Sequence, residues 1–442
     1  MRGGWRRHVG PTVEVAPGAR ADRFEILFDL VYVFSFFIIS RAATAELTGR
    51  GLLHAMLLLA VLWWCWVIHS VVANRVRLGE GFVPAVVVVV IIAVFAFALA
   101  SPRAFRDSPE GLSGPLVVAC SYLVIRLVLM ALYVYAVRDE PSRIRRLGPF
   151  VLELAFSVSL LFAAALVPPR VTDPETAALV RDGLWVVLVV FQYATPLVAG
   201  TASWTVSSAE HWTERYDLIL MIALGESLIS VGIGSNVIGL PITWPTLVAA
   251  ALGIVGIAAL WWAHFDLVAP AARLAMHGTR GDARTRLARD AYGHLYLIML
   301  AGIVIFALGG EELMHQVSGP QFRLGDPLHG TGALLLYGGT VCFLVGDLLF
   351  QLRVLHTVTW TRVGAIVALT GLGALSVHLP LFAAFGLLIG VELVMMAVEM
   401  VVLASSREAL REGVLEERLA RERFETAWRQ RRFHDQPDDR RG

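Results

Sequence analysis

A run of eighteen residues without a charge, VPAVVVVVIIAVFAFALA at positions 83–100, constrains this chain more than any other feature. As a helix rising 1.5 Å per residue it spans roughly 27 Å, close to the ~30 Å hydrocarbon core of a bilayer. Comparable runs recur along all 442 residues, of which 57% are hydrophobic and 17% charged. A soluble domain carries about 25% charged residues and shows its apolar ones as periodic stripes. The chain therefore reads as an all-α polytopic membrane protein.

The minority residues fix further limits. All 37 basic residues are arginine, and only two asparagines occur, Asn74 and Asn236, a bias that fits GC-rich codon usage rather than a nucleic-acid partner. Cys65, Cys120 and Cys342 stand singly in apolar segments, which excludes a disulfide framework or a cysteine metal site. Residues 1–22 are polar and arginine-rich, with no small-residue cleavage site after the first apolar run, so no cleavable signal is expected.

Apolar runs bounded by Arg, Asp, Glu, Pro and Gly predict twelve spans. The first six cover about 24–40, 52–72, 82–100, 115–137, 149–167 and 183–200. The second six cover about 217–235, 245–266, 293–310, 331–350, 363–377 and 379–403, with a turn or a kink at 378–380. With the N-terminus inside, 29 of the 37 arginines fall on the cytoplasmic side and seven outside, leaving Arg126 within a span. The positive-inside rule thus places both termini in the cytoplasm of a bacterial inner (plasma) membrane.

The two halves echo each other. Arg23-Phe24-Glu25 opens the first span and Arg215-Tyr216-Asp217 the seventh. Leu62-Trp63-Trp64 with His69 in the second span is matched by Leu260-Trp261-Trp262 with His264 in the eighth. An even number of helices per copy makes the repeats parallel, an arrangement common among transporters. The expected organisation is a tail at 1–22, six-helix repeats at 23–200 and 201–404, and a charged helical tail at 405–442. That last tail opens with the capping-box pattern Ser405-x-x-Glu408.

Ionisable residues in hydrocarbon are costly, and usually paired or functional. Glu25 and Asp29 lie one turn apart in the cytoplasmic third of the first span. His69, His264 and Asp266 close the second and eighth spans, Arg215 and Asp217 open the seventh, and Tyr292 and His294 open the ninth. Glu226, about nine residues into the seventh span, and Arg126, halfway along the fourth, are expected near the midplane; Glu392 lies halfway along the twelfth. These residues fit a cytoplasmic vestibule of carboxylates and histidines leading to a midplane site, a pattern suited to protons and cations. They also fit pairs that simply close the bundle, an Arg126–Glu226 ion pair among them. Glu311 and Glu312 read as an outer mouth or as solvent-exposed groups. The tryptophan pairs read as packing or interfacial residues. Ser230 with Gly234, and Gly386 with Gly390, suit close helix contacts, and Gly232 with Gly234 suits a broken helix.

Several of these residues form ordered motifs. Phe24-Glu25-x-x-Phe28-Asp29-Leu30-Val31-x-Val33-Phe34, Glu210-His211-x-x-Glu214-Arg215-Tyr216 and Leu224-Gly225-Glu226-Ser227 come first. Trp261-Trp262-x-x-Phe265-Asp266, Tyr292-Gly293-His294 and Gly310-Glu311 follow in order. Together they resemble the bacterial low temperature requirement protein A family from residue 23 to about 312, with a similar hydropathy profile to about 403. Ile26 and Leu27 stand where the family often has Leu and Phe. The resemblance implies a fold class; the family name records a cold-growth phenotype and supplies no reaction. Arg23 with Asp29 is also similar to the Arg-x-x-x-Phe-Ser-Asp opening of an endolysosomal potassium and proton channel family of two six-helix repeats, with Leu27-Phe28 here in place of Phe-Ser.

No His-x-x-x-His cluster, His-Glu-x-x-His, paired Asp-rich motif or Gly-x-Ser-x-Gly elbow is present, and His211 with Glu214 is the one short acid/base or metal-like pair. No catalytic residue, metal site or cofactor is expected, and the partners are membrane lipids and a small-molecule or ion substrate. The favoured reading is a gradient-driven transporter or channel for a small cation, proton or small metabolite. The alternative is a membrane-embedded enzyme acting on a lipid or isoprenoid.

Overall fold

Without water in the bilayer core, every backbone N–H and C=O must be satisfied internally, which apolar runs achieve as helices. The computed structural model describes residues 23–44, 47–107, 111–200, 206–234 and 242–434, so the 1–22 tail lies outside the described residues. The first six long helices are α1 (Arg23–Thr44), α2 (Gly49–Ala73), α3 (Val83–Ala100), α4 (Gly114–Ala136), α5 (Gly148–Leu166) and α6 (Pro174–Ala199). The next six are α7 (Ala209–Gly234), α8 (Trp244–Phe265), α9 (Tyr296–Ser318), α10 (Gly330–Leu355), α11 (Trp360–Ser376) and α12 (Leu381–Val402). A charged helix, α13 (Ala404–His434), follows α12 after a single residue. Thr48 and Asp173 cap α2 and α6 by accepting from the amides of Gly51 (3.1 Å) and Thr176 (2.8 Å).

Among the described residues, ten helical stretches are long and apolar enough to cross a membrane. α7 and the 17-residue α11 cover the other two expected segments. α7 starts eight residues before the expected boundary, so Arg215 and Asp217 lie within it rather than at its mouth, and Glu226 is its eighteenth residue of 26. It runs unbroken through Gly232 to Gly234. The 378–380 segment is a turn, held by the Leu381 amide donating to the Asp326 carbonyl at 2.9 Å. Ser405 lies inside α13 rather than capping it, because the helix already begins at Ala404.

In the first six helices α1 packs on α2 and α3, α2 on α4 and α6, α3 on α4, α4 on α5, and α5 on α6. In the second six α7 packs on α8 and α9, α8 on α10 and α12, α9 on α10, α10 on α11, and α11 on α12. Each pairing of the first set thus recurs six helices later. The sets meet where α1 contacts α7 and α9, and where α2 contacts α9. α2 is buried along most of its length, with Trp63, Trp64 and Trp66 all inside. Apolar side chains such as Ile92, Val190 and Val394 cover the outer surface.

The tightest helix pair is α9–α10. A Cβ on Gly302 would stand 2.4 Å from the Phe343 backbone nitrogen, and one on Gly339 2.3 Å from that of Phe306. These glycines let two backbones touch, the usual device of helix packing in lipid, where apolar burial gives no drive. Gly386 and Gly390, expected in that role, have open space beside them, and the Ser230 hydroxyl is turned to Glu226.

Candidate functional site

The first helices of the two sets, α1 and α7, run parallel and in register. Glu25 and His211 are each the third residue of their helix, Asp29 and Arg215 each the seventh. Glu25 Oε2 lies 2.7 Å from His211 Nε2, and Asp29 Oδ1 accepts from Arg215 Nη2 at 2.5 Å. Arg215 Nε is 3.8 Å from Glu25 Oε2, and the Trp66 indole donates to Asp29 Oδ1 at 2.7 Å. All five side chains are buried. Amphipathic spacing explains the convergence: residues four apart share a helix face, so each helix presents two polar groups to the other.

Asn74, at the end of α2, orients the histidine. Its Oδ1 accepts from the amides of Ser207 (2.6 Å) and Ser208 (3.2 Å), so its Nδ2 faces His211 Nδ1 at 3.2 Å. That contact orients the ring so that Nε2 faces the Glu25 carboxyl. His69 Nδ1 lies 3.4 Å from both terminal nitrogens of Arg215 and accepts from them. Among the described residues, two carboxyl groups thus face one permanent cation, Arg215. Asp29 Oδ2, His69 Nε2 and the Tyr32 and Tyr216 hydroxyls are buried without a hydrogen-bond partner among the described residues.

Arg126 does not meet Glu226. It reaches Glu153 of α5, Nη2 to Oε2 at 2.5 Å and Nη1 to Oε1 at 3.3 Å, and also donates to the Tyr122 hydroxyl at 2.8 Å. The Gln192 amide donates to the same hydroxyl at 3.1 Å, and Ser157 donates to Glu153 at 3.0 Å. Glu226 instead accepts from Ser230, one turn on, at 2.7 Å. It lies past the middle of α7, toward Glu311, whose Oε1 is 3.3 Å from Arg41 Nη1. Glu311 is therefore largely covered and ion-paired, not freely solvated.

The remaining expected residues serve a second cluster or the surface beside it. His264 donates from Nδ1 to Asp347 Oδ1 at 2.7 Å and accepts from the Tyr296 hydroxyl at Nε2, 2.9 Å away. Arg362 pairs with Asp347 and, at 3.0 Å, with Glu399. Asp217 pairs with Arg273 at 2.9 Å and Asp266 with Arg407 at 2.5 Å. Glu214 stands close enough to Asp217 and Arg273 to act on both electrostatically. His294 sits in a π-helical stretch, Ala288–Leu295, with its ring nitrogens 2.9 Å from the Arg289 carbonyl and 3.1 Å from that of Tyr193. The tryptophan pairs divide: Trp63 and Trp64 are buried, and Trp63 donates to the Gly293 carbonyl at 2.8 Å, whereas Trp261 is 41% exposed.

Sequence reasoning missed Glu153, Asp347, Arg362 and Glu399. Each is a charge inside or at the edge of an apolar run, and that displacement alone was the available signal. Asn74 carried none.

Comparisons with known proteins agree with the motifs. The family model described as bacterial low temperature requirement A protein (LtrA) matches residues 20–400. An uncharacterised protein of Rhizobium meliloti is 26% identical over 389 residues, covering 85% of this chain and 87% of its own. No solved structure matches.

Proposed function

The chain belongs to the bacterial low temperature requirement A family and is a multi-pass membrane protein, and from that premise we propose that it conducts or transports a proton or small cation down a gradient. It does so across twelve spans arranged as two parallel six-helix repeats, with both termini in the cytoplasm.

One observation carries the reading: the α1–α7 junction buries Glu25 and Asp29 against one permanent cation among the described residues, Arg215. An uncompensated charge in such surroundings costs several kcal/mol, and a bound proton or cation removes that cost. The junction joins the first helices of the two sets, so loading it bears on how the sets pack. Asp29 Oδ2 and the unpartnered His69, Tyr32 and Tyr216 groups offer further ligands at the same place. The recurring helix pairings favour the repeat, as does a charge pair joining the fourth and fifth helix of each set, Arg126–Glu153 and, with its polarity reversed, Asp347–Arg362. The arginine distribution favours the orientation. Along this route Glu226 and Glu311 stand toward the opposite end.

Liposomes holding the purified protein, loaded with proton- or potassium-sensitive dye, test the proposal under imposed pH and voltage gradients. Wild type should carry one of the two ions, and Asp29→Asn and Glu226→Gln should reduce the flux at least tenfold. Silence of the folded wild type under every gradient sinks the transport reading; a lipid mass difference between cells with and without the gene would then favour the enzyme.

A further inference from the structure

A second carboxyl lies in the second six helices, away from the α1–α7 junction. Glu392 is the twelfth of the 22 residues of α12, and only 1% of its surface is exposed. Neither carboxyl oxygen has a hydrogen-bond partner among the described residues. The Thr340 hydroxyl of α10 lies close enough to act on the carboxyl, but its own proton is donated to the Leu336 carbonyl at 3.0 Å. On the α8 side stands Gly256, where a Cβ would come within 3.7 Å of Glu392 Oε2, 3.1 Å of Phe306 of α9 and 2.9 Å of Ile389. The walls contributed by α8 and α9 are thus a bare glycine and a phenyl ring. Among the described residues no salt bridge reaches Glu392.

A carboxylate in that place would be an unpaired charge among apolar groups, whose cost is relieved by taking up a proton. Two turns along the same face of α12, about 10 Å away by helical rise, is Glu399, paired with Arg362 and through it with Asp347 and His264. These four are the charged and titratable groups closest along the polar line, and they stand near the ends of α8, α10, α11 and α12. In the first six helices the sixth-helix polar residue, 200 positions earlier, is Gln192, a neutral amide bonded to Tyr122.

We infer that Glu392 is a proton-binding site of the second six helices, neutral when loaded and exchanging its proton through the Glu399–Arg362–Asp347–His264 line. The site deepens the transport reading by adding a proton-carrying group, yet its test requires no transport.

A hydrophobic carbodiimide reports the loaded state. The protonated carboxyl gives its proton to one carbodiimide nitrogen while its oxygen bonds to the central carbon; acyl transfer to nitrogen then leaves a stable N-acylurea of defined mass. The intact protein in detergent is treated with dicyclohexylcarbodiimide, and each carboxyl is quantified by peptide mass spectrometry. Glu392 should be labelled at least tenfold more than the ion-paired Glu399, with labelling falling as pH rises, after normalisation to a free carboxylic acid of known titration. Glu392→Gln, a neutral mimic of the loaded state, should keep the wild-type melting temperature. Labelling of Glu392 no greater than of Glu399 in folded protein, labelling unchanged between mildly acidic and strongly alkaline pH, or a collapse of Glu392→Gln would each overturn the inference. Strong, pH-dependent label combined with silent liposomes would sink the transport reading and keep the proton site.

Discussion

Replacing Arg126 by methionine isolates the energetics of a charge pair in the first set. The guanidinium contacts Glu153 at 2.5 and 3.3 Å, and both side chains are almost wholly buried. Removing it leaves the Glu153 carboxylate with the Ser157 hydroxyl as a donor and no countercharge. Two unit charges about 4 Å apart interact by about 4 kcal/mol at an effective dielectric of 20, and breaking a buried pair from one side costs about 3–5 kcal/mol. Arg126→Met should therefore destabilise the protein by about 3–5 kcal/mol. Arg126→Met with Glu153→Met removes the orphan as well, and such replacements are neutral or stabilising by about 1–4 kcal/mol. Unfolding by titrating sodium dodecyl sulfate into dodecyl maltoside micelles measures both, with the reactivity of buried Cys65 as an independent signal. A single variant losing less than about 1 kcal/mol, or a double variant as unstable as the single, would refute the reasoning. A double variant that is stable but silent in flux would show that the charges act in the pathway.

Three further outcomes follow from other parts of the molecule. Gly339→Ala places a methyl group 2.3 Å from the Phe306 backbone nitrogen, a clash no rotamer relieves; it should cost about 1–3 kcal/mol or more, whereas Gly390→Ala, beside open space, should cost little in the same titration. Asn74→Leu removes the amide that orients His211 and the acceptor for two backbone amides; faster hydrogen exchange at Ser207 and Ser208, and a changed pH profile of flux, should result. Burial pushes Glu140, between α4 and α5, upward, but its bond from Arg143 and the charges of Arg75 and Arg143 together prevail and hold it below the ordinary carboxylate range. A depressed carboxyl stabilises above its unfolded value and loses that contribution as pH falls through the folded one. Exchange across the short Pro141–Arg145 helix should therefore quicken on acidification below about pH 4; no change on acidification would contradict the pairing.

The sequence alone determined the solvent and the secondary structure. Twelve apolar segments became twelve helices because lipid leaves the backbone no other partner, and boundaries slipped only where charge continued a helix past its apolar part, as at Glu210–Arg215 in α7. It also placed Glu25, Asp29 and Arg215 among the residues to watch, since a charge inside an apolar run is visible without any fold. Which charges meet was decided by tertiary structure. Arg126 found Glu153 rather than Glu226, and His211 found Glu25 across the α1–α7 junction, because partners are set by helix neighbours and rotation about the helix axis, neither of which hydropathy encodes. The same holds for the backbone contact at Gly302 and Gly339, which spacing could not distinguish from the unused Gly386 and Gly390. Glu392 shows the division most plainly. Its position in a span was legible in the sequence, whereas its lack of a hydrogen-bond partner among the described residues exists only once α8, α9 and α10 have closed around it.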